Sequence, residues 1–156
     1  MADFRVGTGF DAHALEPGVP LVLGGVSFRG PRGLAGHSDG DVITHALIDA
    51  LLGAAGIGDI GTLFPSDAST PEGISSLDLL RDAVARVRAE GYEFVNASCV
   101  LIGQEPRLIN RRTKMETVLS EITGGSVAVS ATTTDELGFT GRNEGLAAQA
   151  VALLSR

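Results

Sequence analysis

Residues 37–55 read His-Ser-Asp-Gly-Asp-Val-Ile-Thr-His-Ala-Leu-Ile-Asp-Ala-Leu-Leu-Gly-Ala-Ala, and this stretch decides the predicted fold. Ser38 and Asp41 are typical helix-capping residues, and apolar residues at helical spacing follow them. The stretch therefore predicts an amphipathic helix. Asp41, His45 and Asp49 recur every fourth residue, so they lie on one face of that helix, one turn apart. Taken alone, this stripe is compatible with a solvated helix face or with a functional site.

Length and composition indicate one globular domain that spans residues 1–156. The net charge of −7 argues against a broad basic surface for nucleic acid, whereas an anionic small molecule is compatible with it. Cys99 is the only cysteine, so an intrachain disulfide is excluded, and its apolar surroundings predict a buried position in a strand. The chain begins without a signal-peptide pattern, and no apolar run approaches the roughly 20 residues of a membrane-spanning helix. We therefore expect a cytoplasmic protein with neither a membrane nor a nucleic-acid partner.

The order of the predicted elements indicates an α/β fold of the α+β type, with helices on one face of a mixed sheet. Gly24-Gly25 predicts a turn between two short strands, and Gly91 predicts the end of a helix. Residues near the C-terminus are rich in Ala and Leu, which predicts a short final helix. The predicted strands cover 4–13, 19–28, 92–102 and 127–133, and the helices after the central one cover 77–89, 107–122 and 143–154.

Three loops are predicted beside the central helix. Residues 31–36 are glycine-rich and deliver His37 and Ser38 to the start of the helix, where free N–H groups and the helix dipole favour an anion such as phosphate. Residues 56–65 are punctuated by glycine and are expected to wrap the site. Residues 66–76 form a polar, proline-containing loop that we interpret as a candidate lid.

A strand and the central helix together supply a candidate metal site. Asp11 and His13 are two residues apart on a predicted strand, so their side chains point the same way. With His45 they offer one carboxylate and two imidazoles, the kind of ligand set that leaves Zn²⁺ one open position for catalysis. Asp49 is either a partner of one ligand or an exposed acid. Residues 7–12 formally match a dinucleotide-binding fingerprint, but no helix follows at once, so we interpret the match as accidental.

Five sequence blocks stand in order over essentially the whole chain: Gly9–His13, His37–Val42, His45–Gly53, Gly58–Gly61 with Phe64-Pro65, and Ala131–Arg142 with Glu144-Gly145. Together they resemble the 2-C-methyl-D-erythritol 2,4-cyclodiphosphate synthase family. The resemblance implies a metal-dependent phosphorus–oxygen lyase of the non-mevalonate route to isoprenoids. Such an enzyme converts 4-diphosphocytidyl-2-C-methyl-D-erythritol 2-phosphate to the cyclic diphosphate and CMP, and the 2-phosphate of the substrate attacks its own β-phosphorus.

The resemblance also implies roles for individual residues. Asp11, His13 and His45 would bind Zn²⁺. Asp11 and His13 would also contact the substrate, as would His37, Thr133 and Asp135. Asp135, where familiar members of the family carry Glu, would bind a second divalent cation, Mg²⁺ or Mn²⁺. His37 and Thr133 would stabilise the transition state. The further substrate contacts that it implies are Ser38, Asp59, Ile60, Gly61, Phe64, Gly103, Gln104, Glu105, Pro106, Arg107, Leu108, Thr132, Thr134, Phe139 and Arg142.

The implied assembly is a homotrimer with active sites between subunits. An axial cavity near Arg142 and Glu144 would hold an isoprenoid diphosphate, unless this pair only braces the trimer. Two other functions stay open. A metal-dependent phosphohydrolase would let a zinc-bound water attack phosphorus and would release phosphate without a cyclic product. A non-catalytic trimer that binds isoprenoid diphosphates would have no use for His13, His45 or the three threonines at 132–134.

Overall fold

Five of the seven strands form one mixed sheet, and the three long helices pack on one of its faces. The computed structural model describes residues 1–156. The strands are β1 (Phe4–Pro17), β2 (Leu21–Leu23), β3 (Val26–Phe28), β4 (Arg32–Leu34), β5 (Glu93–Ile102), β6 (Ser126–Thr132) and β7 (Gly145–Ser155); the helices are α1 (Val42–Ala55), α2 (Ile60–Leu63), α3 (Ser76–Ala89), α4 (Arg112–Thr123) and α5 (Gly138–Gly141). The sheet order is β4-β1-β7-β5-β6, and β5 and β6 are parallel while the other neighbours are antiparallel. The predicted α+β arrangement is confirmed.

Helix α1 is the central helix of the prediction, and it lies almost entirely in the core. It begins after Asp41, whose carboxylate caps it, and it ends at Gly56 in the left-handed conformation (φ 69°). Gly7 and Gly9 of β1 face this helix, and a Cβ atom at either position would overlap a backbone carbonyl of α1. These glycines therefore serve close packing of helix on strand, which confirms that the dinucleotide-like match is accidental.

The prediction of a C-terminal helix at 143–154 is wrong, because this segment is β7, which pairs with β1 on one side and β5 on the other. Ala148, Ala150 and Ala152 are buried, whereas Gln149 and Val151 between them are exposed. This alternation has the period of a strand, and it outweighs the helix preference of Ala and Leu. The small alanines also leave room for α1 above the sheet.

Other predicted boundaries move by a few residues. Helix α4 begins at Arg112 rather than at 107. Residues 31–36 contain β4, which pairs with the end of β1, and residues 56–65 contain α2, so neither segment is only a loop. Cys99 is fully buried in β5 as predicted, and burial raises the pKa of its thiol to about 12. None of the helices combines the length and apolar character that crossing a bilayer requires.

The second face of the sheet carries no helix. Side chains alternate along β1. The even-numbered residues therefore point away from α1, to the face opposite the one that carries Gly7 and Gly9. Phe4, Val6 and Phe10 on this face are 60%, 70% and 59% exposed, and Val151 of β7 is 45% exposed beside them. We call these four side chains the open apolar face. Four large, exposed apolar side chains on one face differ from the single apolar residues that are normally scattered over a protein surface.

Candidate active site

Asp11, His13 and His45 converge between β1 and α1. Asp11 and His13 share the face of β1 that carries Gly7 and Gly9, so the close approach of α1 brings His45 to them. The Oδ2 atom of Asp11 lies 2.8 Å from Nδ1 of His13 and 3.2 Å from Nδ1 of His45. The predicted strand and helix faces are therefore correct, and they place one carboxylate and two imidazoles around one point.

These three side chains fit a divalent cation. One ligand atom from each lies within 4.8 Å of the other two. Oδ2 of Asp11 and Nδ1 of His13 are buried and have no hydrogen-bond partner, although both contacts to Oδ2 have ion-pair distances. Buried polar atoms are seldom left without partners, and a shared cation would satisfy them. Two imidazoles and a carboxylate with room for a further ligand suit a catalytic Zn²⁺.

In the metal cluster, the surroundings favour a negative charge on Asp11 and a positive charge on His45. Burial of Asp11 opposes its negative charge, but the adjacent imidazoles of His13 and His45 outweigh burial and lower the pKa of Asp11. Burial also opposes a positive charge on His45, but the contact with Asp11 and the charges of Asp41 and Asp39 outweigh it and raise the pKa of His45. In the absence of a cation, their contact therefore favours an ionised Asp11 beside a protonated His45 over the neutral pair.

The other two acids of the α1 stripe anchor the helix, so the interpretation of a solvated stripe is wrong. Asp41 is fully buried and accepts hydrogen bonds from the backbone N–H groups of Gly24, Gly25 and Thr44 and from the Thr44 hydroxyl. Asp49 accepts a hydrogen bond of 2.8 Å from the Ile60 N–H. Asp49 is thus neither the partner of a metal ligand nor a free acid, because it holds the start of α2 against α1.

A cavity of about 170 Å³ opens above the metal cluster. Most of its wall consists of residues that the sequence analysis singled out. Asp59 is not part of the wall, but it caps α2 directly before the wall residue Ile60. Hydrogen bonds from Thr62 lower the pKa of Asp59. Three wall residues, Ser66, Thr70 and Leu79, were not predicted. The lining residues are Asp11, His13, His37, Ser38, His45, Ile60, Gly61, Phe64, Ser66, Thr70 and Leu79.

His37 is held by the predicted lid loop. Its Nε2–H donates to the Thr70 carbonyl over 2.6 Å, and its own carbonyl accepts from the Gly73 N–H over 2.7 Å. The Asp39 N–H donates to the Ile74 carbonyl over 3.2 Å. Because a carbonyl only accepts, Nε2 of His37 carries the proton, and Nδ1 has no partner within the chain. The second half of the loop is therefore built into the wall of the cavity.

The remaining predicted residues form a second group, away from this cavity. Residues 103–108 follow β5 and residues 132–135 follow β6, and the two ends are adjacent because Ile102 pairs with Thr132 and the Gly103 N–H donates to the Thr132 carbonyl. Thr133 Oγ1 donates to Asp135 Oδ1 over 3.3 Å on the protein surface. None of these residues lines the cavity above the metal cluster, although Ile102 at the end of β5 and Ala12 of β1 both pair with Ala147 of β7.

Two predicted residues belong to neither group. Phe139 of α5 lies with His13 and Glu144 at a shallow cavity on the other side of the metal cluster. The guanidinium of Arg142 forms an exposed ion pair with Glu144, 2.9 Å between Nη2 and Oε2.

Sequence reasoning missed Asp39 and Ser76, which lie behind His45. Asp39 belongs to the His-Ser-Asp-Gly-Asp motif, so its position was a usable signal. Ser76 lies 31 residues beyond His45 in the chain, and nothing in its local sequence indicates the contact that the fold creates.

Comparison with known proteins connects this geometry to one family. Residues 4–155 match the model of the YgbB family. The chain is 53% identical over 156 residues to the 2-C-methyl-D-erythritol 2,4-cyclodiphosphate synthase of Alkalilimnicola ehrlichii, covering 97% of this chain and 95% of that one. A solved synthase structure in its CDP-bound form superposes with a TM-score of 0.87 at 39% identity, covering 96% of this chain and 99% of the other. The bifunctional IspDF of Campylobacter jejuni gives a TM-score of 0.94 at 38% identity, and the match covers 99% of this chain but 43% of that longer one. From these matches over nearly its full length, the chain belongs to the YgbB family of 2-C-methyl-D-erythritol 2,4-cyclodiphosphate synthases.

Proposed function

We propose that this protein is a 2-C-methyl-D-erythritol 2,4-cyclodiphosphate synthase that converts 4-diphosphocytidyl-2-C-methyl-D-erythritol 2-phosphate to the cyclic diphosphate and CMP. The convergence of Asp11, His13 and His45 at the base of a polar cavity carries the proposal, because a family member with this cluster has the metal site that the reaction needs. The names of its relatives support the same activity.

The reaction needs no nucleophile from the protein. An oxygen of the substrate's 2-phosphate attacks the β-phosphorus, the bond from that phosphorus to the oxygen bridging it to the α-phosphorus breaks, and CMP leaves with that oxygen. The residues of the site therefore have to hold the attacking oxygen in line with the leaving group and to neutralise the charge of the transition state. When bound, Zn²⁺ supplies Lewis-acid polarisation of a phosphoryl oxygen.

Within the cavity, His37 and Ser38 contact the phosphate groups of the substrate. Nε2 of His37 is fixed by Thr70, which leaves Nδ1 for the substrate. Ser38 lines the cavity next to His37, and its hydroxyl lies 3.0 Å from Nε2 of His45. The same cavity is lined by Ile60, Gly61 and Phe64, which contact the methylerythritol part together with Asp59, the residue before Ile60.

The second group of residues binds the cytidine diphosphate part of the substrate. Residues 103–108 contact the base, Thr132 and Thr134 contact the nucleotide, and Thr133 stabilises the transition state. Asp135 holds the second divalent cation, Mg²⁺ or Mn²⁺. The bound CDP in a similar solved structure supports a cytidine diphosphate ligand.

We also propose that the protein is a homotrimer whose active sites lie between subunits. None of the second group of residues lines the cavity above the metal cluster of its own chain, and the resemblance implies that a neighbouring chain supplies this group. The open apolar face, Phe4, Val6, Phe10 and Val151, supports burial of the free side of the sheet in such an assembly. An isoprenoid diphosphate at Arg142 and Glu144 and a cytoplasmic location stay predictions.

A phosphorus NMR time course tests the function. The protein is incubated with the cytidine-linked 2-phosphate substrate and Mg²⁺, with and without a zinc chelator. We expect two coupled signals of a cyclic diphosphate to grow together with CMP, to stop when zinc is removed, and to resume when zinc is restored. Free phosphate without a cyclic product would identify a phosphohydrolase. Saturable binding with an unchanged spectrum would identify a binding protein.

A further inference from the structure

We propose that Asp39 and Ser76 act as positioning residues that fix the ring of His45 for metal binding. This inference rests on the proposed metal-dependent function, and it adds two residues that the first group does not contain. Both lie on the side of His45 that faces away from Asp11. Neither one lines the cavity, so neither is in a position to contact the substrate.

The contacts form a chain of three groups. Oγ of Ser76 lies 2.8 Å from Nε2 of His45, and the same hydroxyl donates a very short hydrogen bond to Oδ1 of Asp39. The second oxygen of Asp39 accepts from the Ser76 backbone N–H over 3.0 Å, so that residue is held at two points. Ser38 Oγ is a second neighbour of Nε2, at 3.0 Å, but it belongs to the cavity wall.

The proton positions follow from the chemistry of each group. Nδ1 of His45 faces Asp11, so it is the nitrogen that binds the metal, and a neutral imidazole then carries its proton on Nε2. That N–H donates to Ser76 Oγ, whose hydroxyl proton is directed to the Asp39 carboxylate. The carboxylate thereby fixes the tautomer and the orientation of the ring through one hydroxyl, a role that a directly bonded carboxylate often has behind a metal-binding histidine.

The helix start does not account for the hydroxyl of Ser76. Ser75 is the cap of α3, because its Oγ accepts from the Leu77 N–H. Ser76 is the first residue of the helix and is fully buried, and its Oγ is turned toward His45. Serine in this position therefore serves the metal ligand, and it also connects the end of the 66–76 loop to the metal centre.

Cobalt binding to the full-length protein tests this role without substrate. Co²⁺ affinity is measured by competition with a chromophoric chelator, and the visible absorption bands of bound Co²⁺ report the ligand geometry. Ser76→Ala should weaken Co²⁺ binding by about 10- to 100-fold, as is typical when a partner of a metal-binding histidine is removed. Ser75→Ala is the matched control, since it weakens the helix start without touching His45, and it should change the affinity by less than about twofold.

Asp39→Asn tests the order of the chain. If Asp39 acts through Ser76, adding Asp39→Asn to Ser76→Ala should weaken Co²⁺ binding no further than Ser76→Ala alone, to within about twofold. Additive losses of Co²⁺ affinity would overturn the proposed series of contacts from Asp39 through Ser76 to His45. Equal losses in Ser75→Ala and Ser76→Ala would overturn it as well. Circular dichroism confirms that each variant is folded.

A measurement on the unaltered protein keeps the test decisive if Ser76→Ala does not fold. In the zinc-loaded protein with ¹⁵N-labelled histidine, we expect Nδ1 of His45 to carry the metal shift and Nε2 to carry a slowly exchanging proton. A metal-bound or unprotonated Nε2 would refute the positioning role while leaving the proposed reaction intact. Failure of the unaltered protein to bind Co²⁺ or Zn²⁺ at this cluster would refute both.

Discussion

Replacing Asp41 with Asn should destabilise the protein, because one buried backbone N–H group loses its hydrogen-bond acceptor. Each oxygen of this buried carboxylate accepts two hydrogen bonds, Oδ1 from the N–H groups of Gly24 and Thr44, Oδ2 from the Gly25 N–H and the Thr44 hydroxyl. An amide has one accepting oxygen, so its NH₂ group meets at least one N–H donor in either orientation. The less costly orientation places the amide oxygen at the position of Oδ1 and the NH₂ group at the position of Oδ2. The Thr44 hydroxyl can then rotate and accept a hydrogen bond from the NH₂ group, so only the Gly25 N–H is left without an acceptor.

The expected cost is that of one unsatisfied donor, about 1–3 kcal/mol. Loss of the negative charge should not add to this cost, because burial raises the pKa of Asp41 and the folded protein therefore disfavours the charge. For a chain of this size, 1 kcal/mol corresponds to roughly 2–4 °C in Tm, and the melting temperature should fall by roughly 2–12 °C. The assay is calorimetry of the metal-free protein at pH 7.

Asp49→Asn is the matched control, since it makes the same chemical change on the same helix. Asp49 accepts one hydrogen bond, from the Ile60 N–H, and the oxygen of an Asn amide can accept it as well. Burial raises the pKa of Asp49, so removing its charge should not be costly. We expect this Tm to stay within about 1 °C of the unaltered protein, a surface-like effect. Equal losses in the two variants would refute the reasoning from counted acceptors.

Three further predictions concern the site and the assembly. His45→Ala should abolish zinc binding and turnover in the phosphorus NMR assay while its circular dichroism spectrum stays that of the unaltered protein; loss of the fold would mean that the cluster is structural. In metal-free protein, the pairing of protonated His45 with Asp11 should stabilise the fold fully below the usual His pKa of 6.5, and this contribution should be lost as pH rises through the raised pKa of His45. The urea concentration at the midpoint of unfolding should therefore fall as the pH rises from 6 to 9, and it should fall less in His45→Ala. An identical pH dependence in the two proteins would contradict the role of the His45–Asp11 pair. Val6→Asp should yield a smaller species in sedimentation velocity because it places a charge on the open apolar face, whereas Ile109→Asp, at an equally exposed apolar position off that face, should sediment like the unaltered protein.

The helices α1 and α3 could be predicted because their apolar residues follow the helical period over 14 residues each. Strand β7 could not be predicted from composition, since Ala and Leu favour helices, and its alternating pattern is easily overlooked when the buried residues are as small as alanine. Asp11 and His13 could be paired because two residues of one strand share a face whatever the rest of the fold does. The contacts of His45 with Ser76 and of His37 with Thr70 depend on how the 66–76 loop returns to α1, and no local pattern determines that path.

One face of β1 carries both the residues that pack against the helix and the residues that build the metal site. Gly7, Gly9, Asp11 and His13 point to one side of the strand, and the two glycines remove the side chains that would hold α1 away. The approach that they permit is what brings His45, on the facing turn of α1, within 3.2 Å of the Asp11 carboxylate. A bulkier strand would bury more apolar area against the helix, yet it would separate the ligands. The small residues of β1 and β7 are therefore a requirement of the metal centre as much as of the core, which is why fold and function are coupled in this part of the chain.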